Sequence, residues 1–299
     1  MKIATAAYPL DWLEDWDAFE AKSRDWVKDA ADAGADLLVF PEYGAMELAC
    51  LAGRNTSMVL EPSLRAVSER IPRADEIYAR LASEFDVHIL TPSAPVYDTH
   101  YDAKRPVNRT RLIAPSGKSA VQDKQIMTMG ERDPFDMALG GPLVLFDTDL
   151  GKIGVLICYD SESPLFGRAL IEAGAEYILV PSCTDETSGY WRVRIGAMSR
   201  ALEGQCVTAM ASLISDTDWS ETFDISTGMG GIFGPPDIGF PATGVLAEGE
   251  MGQAGWTIAD APRPLIEHVR AEGIVRNSTH WGEQGGGKSA IPVTYCDLR

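Results

Sequence analysis

Zinc-binding and disulfide patterns are missing from this sequence of 299 residues. It has no Cys-x-x-Cys pair and no His-Glu-x-x-His run, the spacings that hold structural or catalytic zinc. Its five cysteines, Cys50, Cys158, Cys183, Cys206 and Cys296, are too few and too scattered for a disulfide framework. Positive charge is also short: 26 Lys and Arg stand against 44 Asp and Glu, for a formal net charge of -18. Such a surface repels phosphate backbones and anionic lipid, so neither a nucleic-acid nor a membrane partner is expected. No apolar run approaches the length of a membrane span, and the N-terminus meets Asp11 too early for a signal-peptide core. A reduced, cytoplasmic protein is the expectation.

Hydrophobic residues make up 45% of the chain, enough for a sizeable core. Strand-like and helical runs alternate along most of the length. Residues 2–7, 36–40, 87–91, 177–181, 207–211, 230–233 and 255–258 read as strands. Residues 109–114 and 119–123 flank Pro115-Ser-Gly117 as a hairpin, and 143–146 and 153–157 flank the turn at 147–151. Trp16, Phe19, Ser23, Trp26 and Ala30 recur at helical spacing, with Gly34 as a stop. Helices are also expected over 74–85, over 165–173 and around Trp191, Ile195, Met198 and Leu202, with Trp191 facing the core. This alternation predicts an α/β protein whose sheets are mixed rather than purely parallel. No linker or composition break appears, so one domain over 1–299 is expected, with its core in about 1–260.

Three strand ends carry chemistry. Asp36-Leu-Leu-Val-Phe-Pro-Glu42 places a carboxylate just beyond a buried strand, which Pro41 prevents from continuing as a central ladder. Val121-Gln-Asp-Lys-Gln-Ile126 delivers Lys124 at another strand end. Gly151-Lys-Ile-Gly-Val-Leu-Ile-Cys-Tyr-Asp160 ends on the thiol of Cys158 and turns towards a helical stretch, where backbone N–H groups can face an oxyanion. Singly, these residues also read as a solvated glutamate, a surface lysine and a buried structural cysteine. Together they supply a base for the thiol proton, a cation for an oxyanion and a nucleophile.

The combination resembles the carbon–nitrogen hydrolase, or nitrilase, superfamily, in its amidase-like branch. Its three motifs are matched by Leu-Val-Phe-Pro-Glu42, Asp-Lys124-Gln-Ile and Gly-Val-Leu-Ile-Cys158-Tyr-Asp, in order, over Met1 to about Ile258. The resemblance implies a four-layer αββα sandwich with Glu42, Lys124 and Cys158 as a catalytic triad. It implies cleavage of an amide or N-carbamoyl group through a Cys thioester, with water as second substrate and no metal or organic cofactor. The backbone N–H of Tyr159 would share the oxyanion with Lys124. A second glutamate is expected after the lysine; Glu131 is the best match, with Asp133 and Asp136 as competitors. The family's Phe-Pro-Glu after the nucleophile loop is here Ser163-Pro164-Leu165, which leaves the shape of that wall open. Pairing through helices 165–173 and 190–202 implies a homodimer or larger homo-oligomer, and 291–295 in the tail 273–299 is a plausible strand crossing to a partner.

Other readings stay open. A nitrilase would share the triad, although nitrile-cleaving relatives usually place Trp-Glu after the cysteine where this chain has Tyr159-Asp160. A papain-like hydrolase would need a histidine base, and His88, His100, His268 and His280 lie in no such motif. A catalytically silent binding or scaffold protein of the same fold is the third reading. Substrate-binding residues are not identified: Arg192 and Arg194 could pair with a substrate carboxylate, and loops 46–57 and 215–228 could line the pocket.

Overall fold

Four consecutive apolar residues after Asp36 show how the fold is built. Side chains alternate across a strand, so Leu37 and Val39 enter one hydrophobic cluster while Leu38 and Phe40 enter another. All four are fully buried, which marks a strand covered on both faces. The computed structural model describes residues 1–102, 104–287, 291, 293–297 and 299.

The strands are β1 (Lys2–Pro9), β2 (Leu37–Val39), β3 (His88–Leu90), β4 (Ala94–Val96), β5 (Val107–Ile113), β6 (Ser119–Asp123) and β7 (Leu145–Thr148). They continue as β8 (Gly151–Val155), β9 (Tyr177–Ser182), β10 (Val207–Asp216), β11 (Ile225–Ser226), β12 (Gly231–Phe233), β13 (Val245–Glu248) and β14 (Gly255–Asp260). The helices are α1 (Trp16–Asp32), α2 (Arg54–Ser57), α3 (Leu60–Phe85), α4 (Met129–Arg132), α5 (Pro164–Glu172), α6 (Thr187–Gly204), α7 (Arg263–Glu272) and α8 (Asn277–His280).

Along the sheet the order is β4-β5-β3-β2-β1-β10-β9-β8-β7. The two halves join where Ala7–Pro9 of β1 run parallel to Ser212–Ile214 of β10. The pairs β1–β2, β2–β3, β8–β9 and β9–β10 are parallel, whereas β14 runs antiparallel to β1 and β6 to β5. The mixed sheet is therefore as expected. One core cluster joins Ile3, Leu37, Val39 and Leu90 of the first half to Val155, Met210 and Ile232 of the second. The other packs Ala4, Leu38 and Ile89 against Phe19 and Val27 of α1 and Ile77 and Leu81 of α3. The sheet curls on itself with helices outside, the αββα arrangement.

Local signals hold at α1. The Asp15 side chain accepts a hydrogen bond from Ala18 N–H at 2.9 Å as its N-cap, a cap worth about 1 kcal/mol. Gly34 follows the helix at φ 79°, a left-handed turn that glycine adopts without a Cβ penalty.

Three expectations need correction. The helix expected over 74–85 spans Leu60–Phe85 and contains Pro72. A mid-helix proline costs about 3 kcal/mol, and here burial of Leu64, Val67, Ile77, Tyr78 and Leu81 along one face offsets it. Trp191 is not in the core but 46% exposed. The strand expected at 291–295 is absent from its described residues, Ile291 and 293–295; Pro292 lies outside the described residues.

Candidate active site

Chain direction concentrates the chemistry. Glu42 follows β2, Cys158 follows β8 and Cys183 follows β9, all at the C-terminal ends of parallel strands. Beyond β8 the ladder persists for one bond, from Leu156 N–H to Leu179 O at 2.9 Å. The chain then enters a 3-10 turn at Cys158–Glu162, with Cys158 at φ 50°. A left-handed backbone at a non-glycine residue is strained and persists only where its surroundings enforce it. One enforcing contact comes from α6: a Cβ on Gly196 would lie 2.9 Å from Ser161 O, so the helix packs directly on the nucleophile turn. Ser161 Oγ in turn donates to Cys158 O at 2.7 Å.

Lys124 is 1% exposed and stands between two carboxylates. Its Nζ lies 2.7 Å from Glu42 Oε1 and 2.6 Å from Glu131 Oε2. Glu131 is further held by Thr128 N–H at 2.9 Å and Thr128 Oγ1 at 3.0 Å, a capping box opening α4, and by Tyr43 OH at 2.7 Å. Of the three carboxylates weighed after the lysine, Glu131 is the one in the cluster; Asp133 and Asp136 are exposed, and Asp136 pairs with Arg105 at 2.7 Å. Glu42 Oε2 accepts from Cys183 N–H at 3.0 Å, and Oε1 also accepts from Asn108 Nδ2 at 2.9 Å.

One buried cation thus serves two buried anions, and they are tuned apart. Burial raises both carboxyl pKa values, but Lys124 and the Thr128 and Tyr43 donors outweigh it at Glu131, which lies below its ordinary value. At Glu42 burial wins against Lys124, helped by the Glu131 charge, and the carboxyl lies above its ordinary value. For Lys124, burial favours the neutral amine, but the two glutamates overcome it and hold the ammonium. Burial and then the Glu42 charge push the Cys158 thiol well up, with Lys124 opposing. The resting group is a thiol, and Glu42 is the carboxylate with raised proton affinity beside it.

A cleft of about 780 Å³ opens onto this cluster, lined by Glu42, Tyr43, Lys124, Glu131, Cys158 and Tyr159 among others. Tyr43, Phe135 and Phe223 form an aromatic wall with ring centroids 5.0–6.2 Å apart. Thr222 and Phe223 bring loop 215–228 into the cleft as expected, but loop 46–57 contributes no lining residue. That segment is largely a buried 3-10 stretch, Gly44–Ala52, anchored through Glu47. Arg192 lines the cleft, 63% exposed and 3.8 Å from Glu162. Arg194 does not; it is engaged by Glu248 at 2.7 Å and the Tyr190 hydroxyl at 3.3 Å. At the departure noted in Ser163-Pro164-Leu165, Pro164 simply starts α5, and Glu162 just before it reaches the cleft. Among the described residues no histidine lines the cleft, and His88 is a buried residue whose pKa burial lowers.

Three contributors were not picked out in the sequence. Asn108 on β5 also donates to Glu131 Oε1 at 3.3 Å. Ser93 accepts from Tyr43 N–H at 2.9 Å and donates to Asn108 Oδ1 at 2.7 Å, which fixes the amide orientation. The Asp160 carboxylate accepts Gln125 N–H at 3.0 Å and Ile126 N–H at 2.8 Å, tying the segment after Lys124 to the turn after Cys158. Burial raises the Asp160 carboxyl to about 7. Of the three only Asn108 lies in a strand, β5, where a polar residue beside Val107 is the one available signal.

With the geometry in place, the kinship follows. Residues 2–225 match the carbon-nitrogen hydrolase family, and the chain belongs to it. It is 28% identical over 277 residues to the probable hydrolase YhcX of Bacillus subtilis (strain 168), an alignment covering 92% of this chain and 52% of that protein. The chain therefore spans about half the length of that relative. It is 29% identical over 192 residues to the (R)-stereoselective amidase of a Pseudomonas species, covering 61% of each. Among solved structures it is similar to Saccharomyces cerevisiae Nit3, a member of branch 10 of the nitrilase superfamily. The TM-score there is 0.70 at 19% identity, over 91% of this chain and 93% of that one.

Proposed function

We propose that the chain hydrolyses a small-molecule amide, or an N-carbamoyl group, at Cys158. One observation carries this reading: Lys124 bridges Glu42 and Glu131 in the cleft that Cys158 also lines. Glu42 takes the thiol proton as sulfur attacks the carbonyl carbon, so the S–H bond breaks while O–H and S–C bonds form. The negative charge passes to the carbonyl oxygen, where Lys124 and the Tyr159 N–H stabilise it. Glu42 then returns the proton to the leaving nitrogen, which departs as ammonia or an amine and leaves a thioester. Water, deprotonated by Glu42, cleaves the thioester and restores the thiol. Glu131 touches neither sulfur nor carbonyl in this scheme; it holds the ammonium charged and in place.

Tyr159-Asp160 in place of Trp-Glu supports amide over nitrile, while the relatives include amidases and nitrilases alike. A nitrile would use the same thiol, so nitrile hydrolysis is the second reading. Two further parts of the proposal are a homo-oligomer meeting through α5 and α6, where Leu165, Trp191, Ile195 and Leu202 are exposed, and a reducing cytoplasmic location that suits a required free thiol. The test is release of ammonia or amine from a panel of simple amides, carbamoyl amino acids and nitriles. Release above the Cys158→Ala background identifies the class; none from any compound rejects the proposal.

A further inference from the structure

We infer that Asn108 is the positioning residue that aims the Glu42 carboxylate: with Lys124 it occupies Oε1, leaving Oε2 as the oxygen that takes the Cys158 proton. The inference deepens the amide-hydrolase reading and rests on it for the direction of proton transfer. A carboxylate oxygen offers about two acceptor sites. Oε1 accepts from Lys124 Nζ at 2.7 Å and from Asn108 Nδ2 at 2.9 Å, so both of its sites are filled. Among the described residues Oε2 accepts one bond, from Cys183 N–H at 3.0 Å, and keeps a site open. Cys183 belongs to the same strand-end segment whose backbone oxygen lies 3.7 Å from Cys158 Sγ. The open site therefore sits on the oxygen held towards the thiol side.

The amide can do this because it cannot turn. Asn108 is fully buried, and its Oδ1 accepts from Ser93 Oγ at 2.7 Å. Ser93 Oγ itself accepts from Tyr43 N–H, so its single proton is committed to Asn108. A flipped amide would set its carbonyl oxygen against two carboxylates. The donor end is thereby fixed on Glu42 and, at 3.3 Å, on Glu131 Oε1.

Removing the donor makes ionised Glu42 less favourable, so the acidic limb of activity moves to higher pH. The groups facing Glu42 are Lys124 after β6, Glu131 on α4, Cys158 and Asp160 in the turn after β8, Cys183 after β9 and the adjacent Tyr43. The experiment reads two pH profiles in Asn108→Leu, Ser93→Ala and Tyr43→Phe: kcat/KM for ammonia release, and the rate of Cys158 alkylation by iodoacetamide. The second needs no turnover, since its acidic limb reports loss of the first proton from the Glu42–Cys158 pair.

Asn108→Leu should raise the limb by about one pH unit in both profiles, and Ser93→Ala, which frees the amide and also removes the acceptor of Tyr43 N–H, should raise it by less. Tyr43→Phe strips a donor from Glu131 but none from Glu42, so the limb should not move to higher pH. An alkylation limb unmoved in folded Asn108→Leu overturns the inference, as does an upward Tyr43→Phe shift of equal size. Should Asn108→Leu fail to fold, an unmoved limb in Ser93→Ala overturns it instead. A shifted alkylation limb in a protein that cleaves no amide keeps the Asn108 assignment and rejects the amide-hydrolase reading alone.

Discussion

A half-buried lysine and a fully buried one each hold buried glutamates, Lys22 pairing with Glu47 and Lys124 with both Glu42 and Glu131. Of the two groupings the cleft reaches that of Lys124. Lys22 Nζ lies 2.7 Å from Glu47 Oε2, with a tyrosine hydroxyl, Tyr8, 2.7 Å from Glu47 Oε1. Lys124, Glu131 and Tyr43 repeat that grouping at the strand ends. Each has a cysteine close by: Cys50 Sγ is 3.9 Å from Asp11 O, and Asp11 is the second carboxylate of Lys22 at 2.8 Å. Yet the cleft does not reach Lys22, Glu47 or Cys50, and burial pushes the Cys50 thiol up to about 12. Lys22 is spent on structure, fastening α1 to β1 through Glu47, Asp11 and Pro9 O. A Glu–Lys–Tyr grouping is thus a way to bury charge. In the proposed mechanism it becomes a reaction centre where a thiol on a strained turn shares the cation and an open cleft adjoins both.

The largest effect that sharpens this contrast is at the two thiols. Cys158→Ala should abolish ammonia release while retaining the fold, whereas Cys50→Ala should keep turnover within about threefold of wild type. Next come the lysines. Lys124→Met removes the cation from the oxyanion and should lower kcat by about 10²–10³ in the folded protein. Lys22→Met leaves Glu47 buried without its counter-charge and should cost about 3–5 kcal/mol of stability, read in a thermal or denaturant melt, with kcat nearly unchanged at low temperature. Equal losses of kcat would break the contrast.

Asp160→Asn is expected to act more gently and with a signed pH dependence. The folded protein keeps the Asp160 proton to about pH 7, while an unfolded chain releases it near about pH 4. The folded state therefore binds the extra proton between those values, and the stability it contributes falls as pH rises through that window. Asparagine has no proton to lose, so the mutant should gain on wild type in melting temperature from about pH 4 to 7 and then level off. It also replaces Oδ2, which accepts Gln125 N–H at 3.0 Å, with an N–H donor, and kcat should fall by about tenfold at most. The smallest effect is at Arg192, exposed on the cleft rim: Arg192→Ala should leave kcat within about threefold and change KM more for carboxylate-bearing amides than for neutral ones.

Glu42, Lys124 and Cys158 were legible because each ends a strand, and strand ends in one sheet converge. Glu131 was expected through the family resemblance, which places a second glutamate after the lysine, with Asp133 and Asp136 as competitors, and its capping box with Thr128 was not noticed. Asn108, Ser93 and the Asp160 carboxylate act through partners 15 to 66 residues away, and no local pattern carries such pairings. The same distance hid the Lys22–Glu47 pair, 25 residues apart, so loop 46–57 read as a pocket wall. The early start of α3 was masked by Pro62 and Pro72, whose cost is met by burial that propensity does not register.

The central claim is covalent catalysis at Cys158, and intact-protein mass spectrometry with peptide mapping tests it most directly. After brief incubation with an amide that releases ammonia, the protein should gain the mass of the acyl group on the peptide containing Cys158. The adduct should decay as free acid appears, and Cys158→Ala should show none. An adduct on any other residue, or undiminished ammonia release by Cys158→Ala, would contradict the account.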